Sequence, residues 1–347
     1  MSRLPLADRL RGLIASAGPI PVSLYMAEAN AHYYATRDPL GRDFITAPEI
    51  SQMFGELVGL WLADLWSRAG APNARYVELG PGRGTLASDA LRAMRAAGLV
   101  PPVHLVETSP TLRSEQAKHV PGAFWHDSFA DVSTDDRLLI VANEFFDALP
   151  IRQIVRGRTG WHERYVGLDG DRFVPAAGPQ VPASALPPHL SDAAEGSIVE
   201  TSPAAIAIAR DIAATIATSG GAALIIDYGH GRTSAGETLQ AVAANRYADP
   251  WADPGEHDLT AHVDFEALAT AARSEGVRVF GPVGQGDWLT AMGIDVRTAA
   301  LSRAAPERAP EIAGARDRLV SPRQMGDLFK VMAFVAEGWP DPAGFAT

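Results

Sequence analysis

Residues 76–86 constrain the fold of this chain most strongly. They read YVELGPGRGTL: an apolar run that reaches an acid, then glycines at alternate positions, then the start of a helix. Glycine allows sharp turns of the main chain and removes the Cβ atoms that would keep a ligand away. The free N–H groups of the next helix point back at that ligand. The segment therefore predicts a strand, a turn and a helix, with a nucleotide-like molecule lying across residues 80–84.

The spacing of the glycines separates two kinds of nucleotide loop. In the dinucleotide fingerprint G-x-G-x-x-G, the third glycine comes five positions after the first. Here Gly84 comes four positions after Gly80, with Gly82 between them. The pattern E-x-G-x-G-x-G instead resembles motif I of class I S-adenosylmethionine (AdoMet) methyltransferases. That resemblance implies that Glu78 lies near the amino-acid part of the cofactor. An ordinary strand-to-helix turn is the alternative.

Composition excludes several kinds of protein. The 347 residues include 41 acidic and 30 basic side chains, a net charge of -11, which argues against nucleic acid as the main partner. With no cysteine, the chain has no disulfide, no thiolate zinc site and no cysteine nucleophile. The motif H-E-x-x-H is absent, so no metal is predicted. Neither a membrane-spanning run nor a secretory signal is evident, and the sequence predicts a cytoplasmic protein without membrane insertion.

The pattern of elements changes near residue 70. Residues 1–70 read as a helical N-terminal extension, and residues 71–347 alternate between strand and helix. This alternation predicts an α/β fold with a mostly parallel, Rossmann-like sheet and right-handed crossovers. Insertions are predicted near 151–195 and 229–262, and residues 229–262, which are rich in Gly, His and Asp, read as a long loop. Residues 175–190 are rich in Pro and Ala and read as a loop.

Acids follow the second and third predicted strands. Glu107 comes 23 positions after Gly84, where doubly wound folds hold ribose hydroxyls. A carboxylate can accept from two hydroxyls at once, and Thr108 follows it. Asp127 and Ser128 end the third strand, where an acid in AdoMet enzymes often accepts from the adenine amino group. The alternative for these residues is an ordinary surface or loop position.

The octapeptide NEFFDALP at 143–150 follows the fourth predicted strand, a buried run. Ligands of open parallel sheets bind beyond the carboxyl ends of the strands, so this octapeptide faces the group being transferred. Asn143, Glu144 and Asp147, together with two phenylalanines, suit a guanidinium or amine acceptor. The alternative is that the aromatics belong to the core and that the acids cap a helix. Two further segments, DYGHG at 227–231 and residues 254–265, are either part of the acceptor pocket or simple turns and helix starts.

These stretches together resemble the MidA family of AdoMet-dependent methyltransferases, which are linked to complex I assembly in mitochondria and bacteria. The matching stretches are RDPLGRDFITAPEISQMFGE (37–56), YVELGPGRGTLASDALR (76–92), VHLVETSP (103–110), ANEFFDALPIRQ (142–153), IIDYG (225–229) and PGEHDLTAHVDF (254–265).

The resemblance implies a class I methyltransferase fold with a seven-stranded sheet, AdoMet as cofactor, and a protein arginine in the large hydrogenase-like subunit of NADH dehydrogenase as acceptor. It places AdoMet against Glu78, Gly80, Gly82, Gly84, Glu107 and Asp127. The N-terminal extension then closes over the cofactor through Asp43, Thr46, Pro48 and Glu49.

The predicted chemistry is direct transfer of a methyl group from sulfonium to a guanidinium nitrogen. Glu144 is the expected acid that holds and polarises the guanidinium, beside Asn143, with Asp147 or Glu49 sharing that work. Two other functions remain open on the sequence: a NAD-dependent oxidoreductase, which the glycine spacing disfavours, and a non-catalytic assembly factor that keeps the AdoMet fold as a binding surface. The sequence does not indicate an oligomeric state.

Overall fold

The computed structural model describes residues 5–36, 45–243 and 246–345. The helices are α1 Leu6–Ala17, α2 Val22–Thr36, α3 Ala47–Ile50, α4 Gln52–Arg68, α5 Thr85–Ala96, α6 Pro110–His119, α7 Pro203–Ser219, α8 Phe265–Ser274, α9 Gln285–Ala291, α10 Ile294–Ala304, α11 Ala309–Val320 and α12 Met325–Leu328. The strands are β1 Ile20–Pro21, β2 Ala74–Leu79, β3 Val103–Val106, β4 Phe124–His126, β5 Arg137–Asn143, β6 Arg152–Gly157, β7 Gly160–Asp169, β8 Arg172–Val181, β9 Ile198–Thr201, β10 Gly221–His230, β11 Gln240–Ala243, β12 Arg246–Ala248, β13 Asp258–Thr260, β14 Val263–Asp264, β15 Arg278–Gly284 and β16 Phe329–Val335. The predicted mixed α/β class is confirmed.

The chain divides into two compact units, which are described separately. The first unit comprises, among the described residues, 5–36, 147–207 and 232–264 without 244–245. The second comprises 45–146, 208–231 and 265–345.

The second unit contains a mixed sheet in the order β15–β16–β10–β5–β2–β3–β4. The pairs from β10 to β4 along this order are parallel, whereas β16 runs antiparallel to both β10 and β15. Strand β5 lies between two parallel neighbours, and all its residues after Arg137 are buried. A strand that is covered on both faces needs an unbroken apolar run, which explains the sequence LLIVA.

Helix α4 packs closely against α5 in this unit. Two glycines, Gly55 and Gly59, face α5, and a Cβ atom on Gly59 would overlap the carbonyl group of Ala90. Several large apolar side chains of α4, including Phe54 and Trp61, are fully buried in the core of the unit. Gly55 and Gly59 therefore allow α4 and α5 to approach closely, while larger side chains of α4 fill the core.

The first unit is built around an antiparallel sheet in the order β1–β7–β6–β9, with β8 also paired to β7. A second small antiparallel sheet has the order β12–β11–β13. Helix α1 ends at Gly18, whose φ of 87° and N–H bond to Ile14 O stop the helix. Its buried side chains Leu6, Leu10 and Ile14 recur every four residues, as the sequence predicts.

Two predictions about the first unit are wrong. Residues 175–190 were expected to be a loop, but 175–181 belong to β8, which pairs with β7 through Pro175 opposite Val166. Proline is tolerated in a strand that has a neighbour on one side, because its missing N–H would face outward. The long segment 229–262, read as a loop, contains strands β11, β12 and β13, with Ala241 and Leu259 buried.

Candidate functional site

In the sheet of the second unit, the five parallel strands β4, β3, β2, β5 and β10 have residues aligned in one row near their carboxyl ends. The register aligns His126 with Val106, Val106 with Leu79, Leu79 with Ala142, and Ala142 with Ile225. The chain therefore leaves the sheet at the same edge after β4, β3, β2 and β5, whereas β10 continues beyond this row to His230. This edge is where open α/β sheets bind ligands. The predicted site residues Asp127, Glu107, Gly80 and Asn143 each follow this row directly.

The glycine loop after β2 has the backbone that its sequence predicts. Gly80, Gly82 and Gly84 all have left-handed φ values, of 60°, 54° and 85°. A Cβ atom on Gly80 would lie 2.9 Å from Cδ2 of Phe145, and one on Gly84 would lie 3.5 Å from Cα of Gln116. All three glycines are thus needed for the turn, and Gly80 is also needed for the close approach of Phe145.

Glu78 is buried in β2, two residues before the loop. It is 3 % exposed, and its Oε2 accepts a 2.6 Å hydrogen bond from the hydroxyl of Tyr76. Burial raises the pKa of Glu78 to about 8, and the bond from Tyr76 opposes that rise. A buried carboxyl of this kind would be stabilised as the anion by a cation, such as the amino group of a bound amino acid.

Glu107 is held in place by several neighbours. Its Oε1 accepts from the N–H of Ser109 at 2.8 Å, and its Oε2 accepts from Nε2 of Gln116 at 3.3 Å. Burial raises the pKa of Glu107, while these hydrogen bonds lower it. Thr108 follows as an exposed residue. Gln116 is fully buried on α6 and was not singled out from the sequence, because nothing in its local pattern marks it.

Asp127 and Ser128 are exposed after β4 and are already engaged. Oδ1 of Asp127 forms a 2.6 Å ion pair with Nη2 of Arg113, whose Nε donates to the Glu107 carbonyl at 2.7 Å. The hydroxyl of Ser128 donates to Oδ2 of Asp131 at 2.8 Å and begins a short 3₁₀ helix. The structure therefore places both predicted residues beside Glu107, with Asp127 tied to it through Arg113.

Helix α3 lies beside the start of α5. Oε1 of Glu49 accepts a 2.6 Å hydrogen bond from the hydroxyl of Thr85, the residue that follows Gly84. Pro48 is buried and Thr46 is the half-buried N-cap residue of α3, without a side-chain capping bond. The structure thus brings these three residues close to the glycine loop. Asp43 lies outside the described residues.

Asn143 is the last residue of β5, and Glu144 follows it in an uncommon backbone conformation. Glu144 has a φ of 49°, which is costly for a residue with a Cβ atom. Its Oε1 accepts from Ala47 N–H at 3.1 Å and from Nδ2 of Asn143 at 3.2 Å. Oδ1 of Asn143 is buried without a hydrogen-bond partner. A buried acceptor without a partner costs free energy unless a ligand satisfies it.

Asp227 fixes the backbone after Glu144. It is fully buried after the row of strand ends, and Oδ2 accepts from the N–H groups of Phe145 at 3.2 Å and Phe146 at 2.9 Å. Its Oδ1 accepts from the N–H of Tyr228 at 2.9 Å. The sequence marked DYGHG as either pocket or turn. The structure gives Asp227 a definite task, which is to hold the turn that presents Glu144.

Asp147 belongs to the first unit, unlike Asn143 and Glu144. It is 6 % exposed, and its carbonyl accepts from the N–H of Ala261 at 3.0 Å. The segment 254–265 lies in the same unit, where Tyr34 donates to Oδ1 of Asp258 at 2.8 Å. The role of Asp147 in the chemistry stays a prediction.

The residues of the second unit fit AdoMet. The left-handed glycines leave room along the loop, a buried carboxyl with a raised pKa ends β2, and a fixed carboxylate ends β3. The partnerless Oδ1 of Asn143 provides an acceptor at the carboxyl end of β5. The described residues contain no group of three or more His, Cys, Asp or Glu side chains arranged to hold a metal ion.

Comparisons with known proteins agree with this site. Residues 57–283 match the family described as "Putative S-adenosyl-L-methionine-dependent methyltransferase". The mitochondrial protein arginine methyltransferase NDUFAF7 of Homo sapiens is 36 % identical over 95 % of this chain and 83 % of its own length. Its Drosophila melanogaster homolog is 37 % identical over 94 % and 84 %. A Burkholderia thailandensis protein solved with S-adenosyl-homocysteine has a TM-score of 0.85 and 31 % identity, covering 98 % of this chain and 93 % of that one.

These comparisons correct the predicted location. The curated relatives are named as mitochondrial proteins, so the cytoplasmic location inferred from the sequence is wrong. None of the helices in the described part of the chain has the length and apolar content needed to cross a membrane.

The predicted cofactor and enzyme class are confirmed, and the oxidoreductase alternative is set aside. On the family match and on more than 30 % identity over most of both chains, this protein belongs to the family of S-adenosylmethionine-dependent methyltransferases that the MidA resemblance indicated.

Proposed function

We propose that this enzyme transfers methyl groups from AdoMet to an arginine of a protein substrate, the large hydrogenase-like subunit of NADH dehydrogenase. The arginine acceptor is supported by the names of the relatives, which are protein arginine methyltransferases. The observation that carries the proposal within the structure is the strained, anchored Glu144 beside the partnerless Oδ1 of Asn143. A carboxylate and an amide oxygen are suitable acceptors for the five N–H donors of a guanidinium.

We further propose that the order β4–β3–β2–β5–β10–β16–β15 is the seven-stranded arrangement of a class I methyltransferase. The parallel strands and the single antiparallel β16 support this assignment. Residues 71–347 would then form the methyltransferase domain, with insertions near 151–195 and 229–262. The contact between Glu49 and Thr85 supports a role in closing over the cofactor for the part of the 1–70 extension that belongs to the second unit, residues 45–70.

The cofactor-binding residues follow from the row of strand ends. We assign the loop of Gly80, Gly82 and Gly84 to the cofactor backbone, Glu78 to its amino-acid part and Glu107 to its ribose. The remaining candidates at the rim are Thr108, Asp127, Ser128, Asp43, Thr46 and Pro48.

When bound, AdoMet supplies a methyl group on a positively charged sulfur. Glu144 holds the acceptor guanidinium so that one nitrogen lone pair points toward that carbon. In that transfer the C–S bond would break as the N–C bond forms, S-adenosylhomocysteine would leave, and the proton of the methylated nitrogen would pass to Glu144 or to water. Asn143 orients the same group, and Glu49, which belongs to the same unit, shares the work of holding it. Because the methyl donor is already activated, orientation and charge provide most of the catalysis.

The substitution Glu144→Gln tests this assignment. It keeps the shape of the side chain and an oxygen that can accept from Ala47 N–H and Asn143 Nδ2, but it removes the charge. We expect turnover to fall by about 10²-fold or more, with AdoMet affinity within about 3-fold of wild type. Turnover is measured by mass spectrometry of the purified substrate subunit, as a gain of methyl groups on arginine. Affinity is measured by calorimetry.

A matched control is Glu115→Gln, which makes the same chemical change at a glutamate of α6 that pairs with Lys118 on the surface. We expect this variant to keep both turnover and affinity. Equal losses of turnover and affinity in Glu144→Gln would contradict the role assigned to Glu144. Methylation of a residue other than arginine would contradict the proposed acceptor.

A further inference from the structure

The side chain of Gln116 connects three parts of the proposed cofactor site. Its Nε2 donates to the carbonyl oxygen of Gly82 at 2.7 Å and to Oε2 of Glu107 at 3.3 Å. Its Oε1 accepts from the indole N–H of Trp125 at 2.8 Å. Gln116 is fully buried on α6, so water does not compete for these bonds. One amide therefore bonds the glycine loop, the acid after β3 and the strand β4.

The chemistry of these partners fixes the orientation of the amide. The indole of Trp125 is a donor only, so it must face the oxygen of Gln116. The two N–H groups then point to a carbonyl and a carboxylate, which are acceptors. A flipped amide would set two donors against each other and would leave the carbonyl of Gly82 and the carboxylate of Glu107 facing an oxygen. The orientation that satisfies all three partners is thus the one that holds Glu107.

The position of Gln116 also bears on Gly84. A Cβ atom on Gly84 would lie 3.5 Å from both Cα and Cγ of Gln116. The glycine loop and α6 are therefore in close contact, through both the backbone and the side chain of one residue. A shift of Gln116 would move the carbonyl of Gly82 and the carboxylate of Glu107 together.

We propose that Gln116 is a positioning residue that holds the carboxylate of Glu107 at a fixed distance from the glycine loop, so that both ribose hydroxyls of the cofactor are recognised. This inference rests on the proposed role of Glu107 in binding the ribose. Glu107 has one oxygen bonded to the N–H of Ser109 and the other to Gln116. Without Gln116, the second oxygen turns away, and the ribose hydroxyls lose a placed acceptor.

The test compares S-adenosylhomocysteine with its 2′-deoxy and 3′-deoxy ribose analogues, by calorimetry. Wild-type protein should bind each deoxy analogue about 10-fold or more weakly than the parent compound, because a hydrogen bond to a carboxylate is lost. In Gln116→Met, which keeps length and burial but has no donor, the parent compound should bind about 10-fold more weakly. We call the Kd of a deoxy analogue divided by the Kd of the parent compound the deoxy ratio. In Gln116→Met this ratio should shrink to about 3-fold or less. The KM for AdoMet should rise while kcat stays within about 3-fold.

Two further variants distinguish positioning from general loss of structure. Trp125→Phe keeps an aromatic ring but removes the indole N–H. It should lower the deoxy ratio as Gln116→Met does, but by a smaller factor. Gln285→Met is the matched control, because Gln285 is an equally buried amide in the same unit whose Nε2 donates to Leu319 O. It should leave the deoxy ratio at the wild-type value.

The possible results separate the two proposals. An unchanged deoxy ratio in both Gln116→Met and Trp125→Phe overturns the role of Gln116 but leaves the proposed cofactor site intact. An equal shrinkage in Gln285→Met also overturns it, since the effect would then be general. If Gln116→Met does not fold, Trp125→Phe decides alone. Wild-type protein that does not bind S-adenosylhomocysteine overturns the proposed site itself.

Discussion

The replacement Glu78→Gln should change how the stability of this protein depends on pH. Glu78 is almost completely buried in β2, and burial raises its pKa to about 8 from an ordinary value of 4.5. In the folded protein the carboxyl therefore keeps its proton up to about pH 8, whereas in the unfolded chain it loses the proton near pH 4.5. Glutamine has nearly the same shape and never ionises.

The sign of the effect follows from the protons bound in each state. Between about pH 4.5 and about pH 8, the folded protein binds a proton that the unfolded chain has released, so the free energy of unfolding falls as the pH rises. The slope is about 1.4 kcal/mol per pH unit, and over this window of about 3.5 pH units it amounts to a loss on the order of 5 kcal/mol. Above about pH 8 the slope due to this group vanishes. Glu78→Gln lacks this loss at every pH.

Urea unfolding of both proteins without AdoMet, at intervals from about pH 5 to about pH 9, measures the difference. Other titrating groups affect both proteins equally and cancel. The stability of the variant relative to wild type should rise through this range and level off at its upper end. Parallel curves for the two proteins would contradict the raised pKa, because they would show that Glu78 titrates alike in the folded and unfolded states.

The variant Tyr76→Phe provides a check on the cause. The Tyr76 hydroxyl lowers the pKa of Glu78, in opposition to the effect of burial. Its removal should therefore raise the upper end of the pH window. Saturating S-adenosylhomocysteine should have the opposite effect and flatten the wild-type curve, because an ammonium group near Glu78 favours the ionised carboxylate.

Two other substitutions test the packing and the turn. Gly59→Ala should destabilise the protein by about 2 kcal/mol or more in urea unfolding, because the new Cβ atom overlaps the Ala90 carbonyl. The control is Gly12→Ala, where no atom lies within 4 Å of the new Cβ atom. This control should stabilise helix α1 by roughly 0.5–1 kcal/mol. Equal signs for the two would contradict this account. Asp227→Asn should reduce kcat by about 10-fold or more with little change in AdoMet affinity, as measured by steady-state kinetics and calorimetry, because the turn after Glu144 loses a charged acceptor. Unchanged kcat would show that the turn is held by other groups.

Much of the central sheet could be predicted from the sequence because its signals are local. The run LLIVA of β5 has a single sensible reading, a strand covered on both faces. Helix α6 begins at Pro110 after the N-cap Ser109 and ends at His119, as proline, cap and basic last turn predict. By contrast, β8 and the strands β11–β13 pair with neighbours in the chain, and only their own residues could have marked them as strands. Their sequences, rich in Pro, Ala, Gly and Asp, do not carry a strand signal.

The candidate site divides in the same way. The glycines and acids that end strands were evident, because strand order and register place them at one edge. Gln116 was not evident, since it is one polar residue within the helix PTLRSEQAKH and its partners are distant in sequence. The location of the protein was wrongly inferred for another reason: charge and hydropathy describe folding and solubility, not the compartment to which a chain is delivered.

The conformation of Glu144 is best explained by the hydrogen bonds that Asp227 accepts. A positive φ in a residue with a Cβ atom costs about 1–3 kcal/mol. Each backbone hydrogen bond to a buried carboxylate contributes about 1.5–3 kcal/mol, and Asp227 accepts three of them, two from the residues that follow Glu144. The two bonds from Phe145 and Phe146 are therefore large enough to offset the strain at Glu144. Glu144 consequently reaches its position without support from a bound ligand, and the acceptor guanidinium meets a carboxylate that is already placed.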